Sequence, residues 1–230
     1  MTTLTDTFDL LDDDGPETYR ALLAAASTSG RCPVWVTATA AECAARLTAA
    51  ERAARLLDVA RADPAALLER NWKGPCPSGC CPAPLPPWPG LLAAEPVPED
   101  LLVGAAERWA RARYRPSHLA VVDAARPADV PAVVGWLGAA NYSVPATELS
   151  TVLRSWEDRF GAVLVEMEAA TLRLAVALPP RTRADALRVA AEHFAFCPDQ
   201  QDPQDGHTWY GLEDYAAKIL HERTWRFWWD

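Results

Sequence analysis

Lysine is almost missing from this 230-residue sequence: Lys73 and Lys218 stand alone, and the remaining basic residues are arginines. With 31 acidic residues against 22 Lys and Arg, the net charge is −9. A deficit of cations on this scale excludes a nucleic-acid partner held by phosphate contacts. Histidines number four and are widely spread, which limits zinc catalysis. No run of about eighteen apolar residues is available to span a bilayer. Met1 to Asp14 lacks the basic and apolar stretches of a secretion signal and instead carries Asp6, Asp9, Asp12, Asp13 and Asp14. The expected address is the cytoplasm, with the six cysteines as thiols. Nucleotide-binding and hydrolase signatures are missing too: there is no phosphate loop, G-x-G-x-x-G, G-x-S-x-G or H-E-x-x-H.

Tryptophan, by contrast, is abundant, with ten residues, and half the chain is apolar, so a sizeable core is expected. The richness in Ala, Arg and Pro matches the codon bias of a high-GC bacterium. Seven prolines between Gly74 and Gly90 forbid both helix and central strand. This Pro/Cys-rich linker, 74–90, divides an N-terminal α/β region (1–73) from a C-terminal α+β domain (91–230).

Pattern and punctuation then predict the elements. Helices are expected at 16–27, 40–62, 98–114, 126–139, 147–160, 183–196 and 212–222. The clearest is 147–160, where Leu149, Leu153, Trp156 and Phe160 share one face. Glu157 and Asp158 are placed on its outer side, with Arg154 and Asp158 as an exposed ion pair. Strands are expected at 32–38 and 118–123, as a hairpin within 162–178 with one face inward, where Leu172, Leu174, Val176 and Leu178 alternate with Arg173, Ala175 and Ala177, and at 225–229. The fold class is therefore α+β, a mixed β-sheet of about five strands packed with helices.

Three ordered motifs stand out: Ser155-Trp-Glu-Asp-Arg-Phe-Gly-Ala162, Ala190-Ala-Glu-His-Phe-Ala-Phe-Cys-Pro-Asp199 and Trp225-Arg-Phe-Trp-Trp-Asp230. Together with Trp88-Pro-Gly90 ahead of them, they resemble the family named domain of unknown function 4253, over roughly 91–230. The resemblance implies a bacterial, actinobacterial, cytosolic protein and supplies no activity to carry over.

Two constellations offer chemistry. His193 and Cys197 lie one helical turn apart, with Asp199 beyond the helix end, so a Cys–His–Asp arrangement is conceivable. Cys197 sits at the helix C-terminus, however, where the dipole disfavours a thiolate. Cys76, Cys80 and Cys81 supply three thiols for zinc or another soft metal, although C-x₃-C-C is not the paired spacing of a zinc ribbon. Neither is favoured, and no cofactor is predicted. The preferred reading is a non-catalytic interaction or accessory protein, adaptor- or immunity-like, and more a binder than an enzyme. Its protein partner, basic if the acidic surface steers it, would meet Glu157, Asp158, Arg226, Trp228 and Asp230.

Overall fold

The β-branched and aromatic run Cys32–Val36 forms a strand with every residue buried, at the centre of a six-stranded sheet. The computed structural model describes residues 8–12, 15–72, 85–113, 117–201 and 210–229. In chain order the strands are β1 (Asp9–Leu10), β2 (Cys32–Val36), β3 (His118–Val122), β4 (Ala162–Met167), β5 (Thr171–Val176) and β6 (Thr224–Trp228). Their spatial order is β1-β3-β2-β4-β5-β6. Only β2 and β4 run parallel; the other neighbours are antiparallel. The expected mixed α+β sheet is thus present, with six strands rather than about five. The extra one, β1, has two residues, too short for alternation to register. Strand β2, from before the proline-rich stretch, lies between β3 and β4, from after it, so one sheet draws on both sides of that stretch.

Helices cover both faces. The helices are α1 (Pro16–Ala24), α2 (Ala26–Ser29), α3 (Ala49–Arg61), α4 (Pro64–Asn71), α5 (Glu99–Ala112), α6 (Val130–Val134), α7 (Ala146–Phe160), α8 (Arg183–Phe196) and α9 (Leu212–Ile219). On one face α1 and α5 bury Tyr19, Leu23, Val103 and Ala106 against Trp35, Leu119, Val163 and Ala175. On the other, α6 to α9 pack against Leu164, Leu174, Trp225 and Phe227. Burial on both sides explains why Ala162–Met167 and Thr171–Val176 are buried at every position. The hairpin was expected to bury one face only.

Three expected helices are broken, the first of them, 16–27, at Ala25 between α1 and α2. The 40–62 segment is a 3₁₀ turn at Ala40–Cys43, an extended stretch, and then α3. Thr48 caps α3, and with Glu51 it forms a reciprocal capping box that fixes where the helix begins. The 126–139 segment is a 3₁₀ turn at Pro127–Asp129 followed by the short α6, which ends at Gly135 in the left-handed region, φ 61°.

Candidate functional site

Helices α7 and α8 bring the first two motifs together as a buried polar spine. The Trp156 indole N–H donates to Glu192 Oε2 at 2.7 Å. Arg159 donates to both oxygens of the same carboxylate, at 2.9 and 2.6 Å. The Leu92 N–H adds a further bond to Oε1 at 3.0 Å, and Arg159 returns one to the Leu92 carbonyl at 2.8 Å. With its oxygens occupied and no exposure, Glu192 fastens the chain after the proline-rich stretch to the helical layer.

One residue further on, His193 is fully buried among Trp156, Trp225 and Phe227. Its Nδ1 lies 3.0 Å from the Tyr215 hydroxyl, which donates to Gln200 Oε1 at 3.0 Å. The Gln200 amide in turn contacts the Cys197 sulfur at 3.6 Å. The Cys197 thiol donates to the Trp228 carbonyl at 2.9 Å. So His193 and Cys197 belong to one hydrogen-bonded chain, but Tyr215 and Gln200 stand between them. Burial pushes the thiol up to about 12 and holds the imidazole well below its usual value, with Arg159 adding to the latter. A neutral thiol separated by Tyr215 and Gln200 from a neutral, caged imidazole has no activated nucleophile to offer. Asp199, also buried, accepts from the Tyr142 hydroxyl rather than orienting His193.

The acidic pair on α7 does not form the outward surface that its sequence suggests. Glu157 is buried; it accepts from the Arg126 side chain at 2.7 Å and from the Ala128 N–H at 3.1 Å. It serves as a side-chain cap for the turn at Pro127–Asp129, and burial raises its pKa against the pull of Arg126. Asp158 remains more exposed and also pairs with Arg126. Arg154 turns instead to Asp129, through both arms of its guanidinium, so the expected Arg154–Asp158 pair is absent. Helix α7 carries buried residues on more than one side because the Pro127–Asp129 turn covers what a lone helix would leave wet.

The third motif supplies the sheet edge. Trp225, Phe227 and Trp229 turn into the core, while Arg226 is exposed and Trp228 half-buried. Two cavities flank this edge. One of about 320 Å³ opens beside α9 and is lined by Gln200, Tyr215, Lys218, Glu222, Arg226 and Trp228, with Asp199 at its border. The other, about 340 Å³, opens on the α5 face between Trp109, Arg113, Glu166, Arg173, Thr224 and Arg226. Of these lining residues the sequence pointed to Arg226 and Trp228 for a partner and, separately, to Asp199 beside His193 and Cys197; it did not point to Tyr215, Gln200, Arg113, Glu166 or Arg173. One available signal was Glu166 and Arg173 flanking a tight hairpin with opposite charges, the pattern of a cross-strand pair.

Asp230 and the three thiols of Cys76, Cys80 and Cys81 lie outside the described residues. Among the described residues, no group of three or more His, Cys, Asp or Glu is placed to hold a metal ion. Among them too, no helix is long and apolar enough to cross a membrane.

These features define an α+β protein whose motif residues are mostly interior scaffold; two of its openings flank β6, and another of about 350 Å³ lies away from it, against Arg46, Leu47 and β3. Residues 118–230 match the family model described as Domain of unknown function (DUF4253), the family that the three motifs resemble. The match begins at the first residue of β3, later than the expected start near 91. No curated protein and no solved structure matches the chain.

Proposed function

We infer that the protein is a non-catalytic interaction or accessory protein of the bacterial cytoplasm, adaptor- or immunity-like in kind. It holds a protein partner along the β6 rim, where Arg226 and Trp228 reach the surface. The observation that carries this reading is the state of Cys197: fully buried, its thiol spent on the Trp228 carbonyl and its acidity suppressed. Groups committed to internal bonds support a scaffold, and a scaffold leaves the rim as the working surface. Half-buried tryptophan beside arginine is the composition of an interface anchor. Glu157 drops out of the expected surface and Asp158 is tied to Arg126, so the rim stands without them. The net charge of −9 favours a basic partner at long range.

Affinity capture from the native host tests the reading. A stoichiometric protein partner is expected, retained by Cys197→Ser and lost with Trp228→Ala. A monomer that captures nothing stoichiometric would overturn it.

A further inference from the structure

The cavity on the α5 face is built from charges that a purely structural sheet would avoid. Arg173 on β5 and Arg226 on β6 stand directly opposite one another in the antiparallel register. Like charges in that relation destabilise a sheet. Arg113 completes the set from the end of α5, its guanidinium carbon 3.4 Å from the centre of the Trp35 ring and its Nη1 donating to the Ser117 hydroxyl at 3.3 Å. Stacking on a fully buried indole fixes the plane of that guanidinium before any ligand arrives.

Among the described residues Glu166 is the single carboxylate lining the cavity, and a bulge between Leu164 and Glu166 puts it there. Regular alternation would turn Glu166 to the same face as Leu164, toward α7 and α8. The extra residue, Val165, brings it instead opposite Arg173, which donates to both Glu166 and Glu168. Arg173 is thereby held rigid at the cavity wall although nearly all of it is buried. Among the described residues, three guanidiniums and the Glu166 carboxylate line the cavity, and Glu168 reaches Arg173 beside it. Trp109 and Ala112 supply an apolar wall.

From this arrangement we propose that the cavity is a binding site for a small organic oxyanion, a phosphate or carboxylate carried on a flat apolar body. The oxyanion sits between Arg113, Arg173 and Arg226, whose planar forks match its geometry, and the apolar body lies against Trp109. A volume of about 340 Å³ holds a molecule of that size. The site shares Arg226 with the partner surface and differs in the rest: Arg113 lines this cavity and not the one beside α9, and Trp228 lines only the latter of the two.

Calorimetric titration at constant low ionic strength with phenyl phosphate, benzoate and the uncharged benzamide tests the proposal. Saturable binding of at least one of the two anions is expected, and whichever binds more tightly identifies the headgroup. Arg113→Gln and Arg226→Gln each weaken it by about tenfold or more. Glu168→Gln, which relieves Arg173 of one competing carboxylate, tightens it by roughly threefold, a gain that misfolding does not produce. Trp228→Ala leaves it unchanged. Absence of saturable binding for both anions overturns the proposal. So does benzamide binding as tightly as benzoate, or Glu168→Gln failing to strengthen the anion.

Discussion

Trp156 and Arg159, one turn apart on α7, converge on a single carboxylate of α8, Glu192, so two of the three sequence motifs meet at one buried residue. Arg159 keeps about a tenth of its side chain exposed and Glu192 none. The pair is worth little as charge against a well-packed apolar alternative, but breaking one side of it is costly. It also welds Leu92 to α8, and so fixes where the chain re-enters the fold before α5.

Glu192→Ala therefore destabilises strongly, by about 3–5 kcal/mol, because Arg159, the Trp156 N–H and the Leu92 N–H all lose their acceptor together. For a chain of this length that corresponds to a fall in Tm on the order of 10 °C. Glu192→Gln keeps an acceptor for the indole and costs less. Urea unfolding of the two variants checks the order; an alanine variant within about 1 kcal/mol of wild type would refute the role of the pair.

Cys197 is expected to be chemically silent in the folded protein. Its thiol is fully buried, bonded to the Trp228 carbonyl and pushed up to about 12, so thiolate is scarce at neutral pH. Alkylation followed by peptide mapping should leave Cys197 unlabelled until urea is added, while the half-buried Cys43 labels before it. Rapid labelling of Cys197 in the native state would restore it as a nucleophile candidate.

Gly161 ends α7 at φ 57°, and a Cβ there would come within 2.8 Å of the Ala177 Cβ and 3.0 Å of Val97. Gly30 shares the left-handed backbone, φ 71°, but has open space around it. Gly30→Ala pays the backbone term alone, about 1 kcal/mol, whereas Gly161→Ala adds overpacking of about 1–3 kcal/mol. Chemical denaturation of both variants measures the difference. Equal losses would show that the close approach to Ala177 is not what requires glycine in the first motif.

Much of this architecture was legible because periodicity reports burial. The face of Leu149, Leu153, Trp156 and Phe160 is buried as the helical spacing requires, and Arg183–Phe196 is found with the expected bounds. What failed was anything decided by a third element. Glu157 looked solvated because a lone helix shows only one wet side; Arg126 and the Ala128 N–H, about thirty residues earlier in sequence, make it an interior cap. The long helix expected at 40–62 ignored a local signal, Thr48 followed three residues later by Glu51. Of the cavity residues, Arg173 read as the outward member of an alternating hairpin, and only the bulge at Val165 and the cover of α5 make it a wall.

His193 gives the fold a dependence on pH whose direction is set by its surroundings. The imidazole is caged by Trp156, Trp225 and Phe227, and its Nε2 has no hydrogen-bond partner among the described residues. Because the Tyr215 hydroxyl donates to Gln200, its oxygen accepts from the histidine, which places the proton on Nδ1. Burial, and then the charge of Arg159, hold the folded pKa well below its usual value. Below about pH 6.5 the unfolded chain binds a proton that the folded chain refuses, so stability is present above that value and is lost as pH falls toward the folded pKa. The slope reaches about 1.4 kcal/mol per pH unit from this one residue. Glu157 acts in the opposite sense: burial raises its folded pKa, so its contribution is present at low pH and is lost as pH rises through that value. Comparing His193→Gln with wild type isolates the histidine. Urea midpoints measured at roughly pH 7.5 and 5.5 should converge in the variant and diverge in wild type. An equal acid loss in both proteins would mean that His193 is protonated in the fold and that the aromatic cage does not exclude the charge.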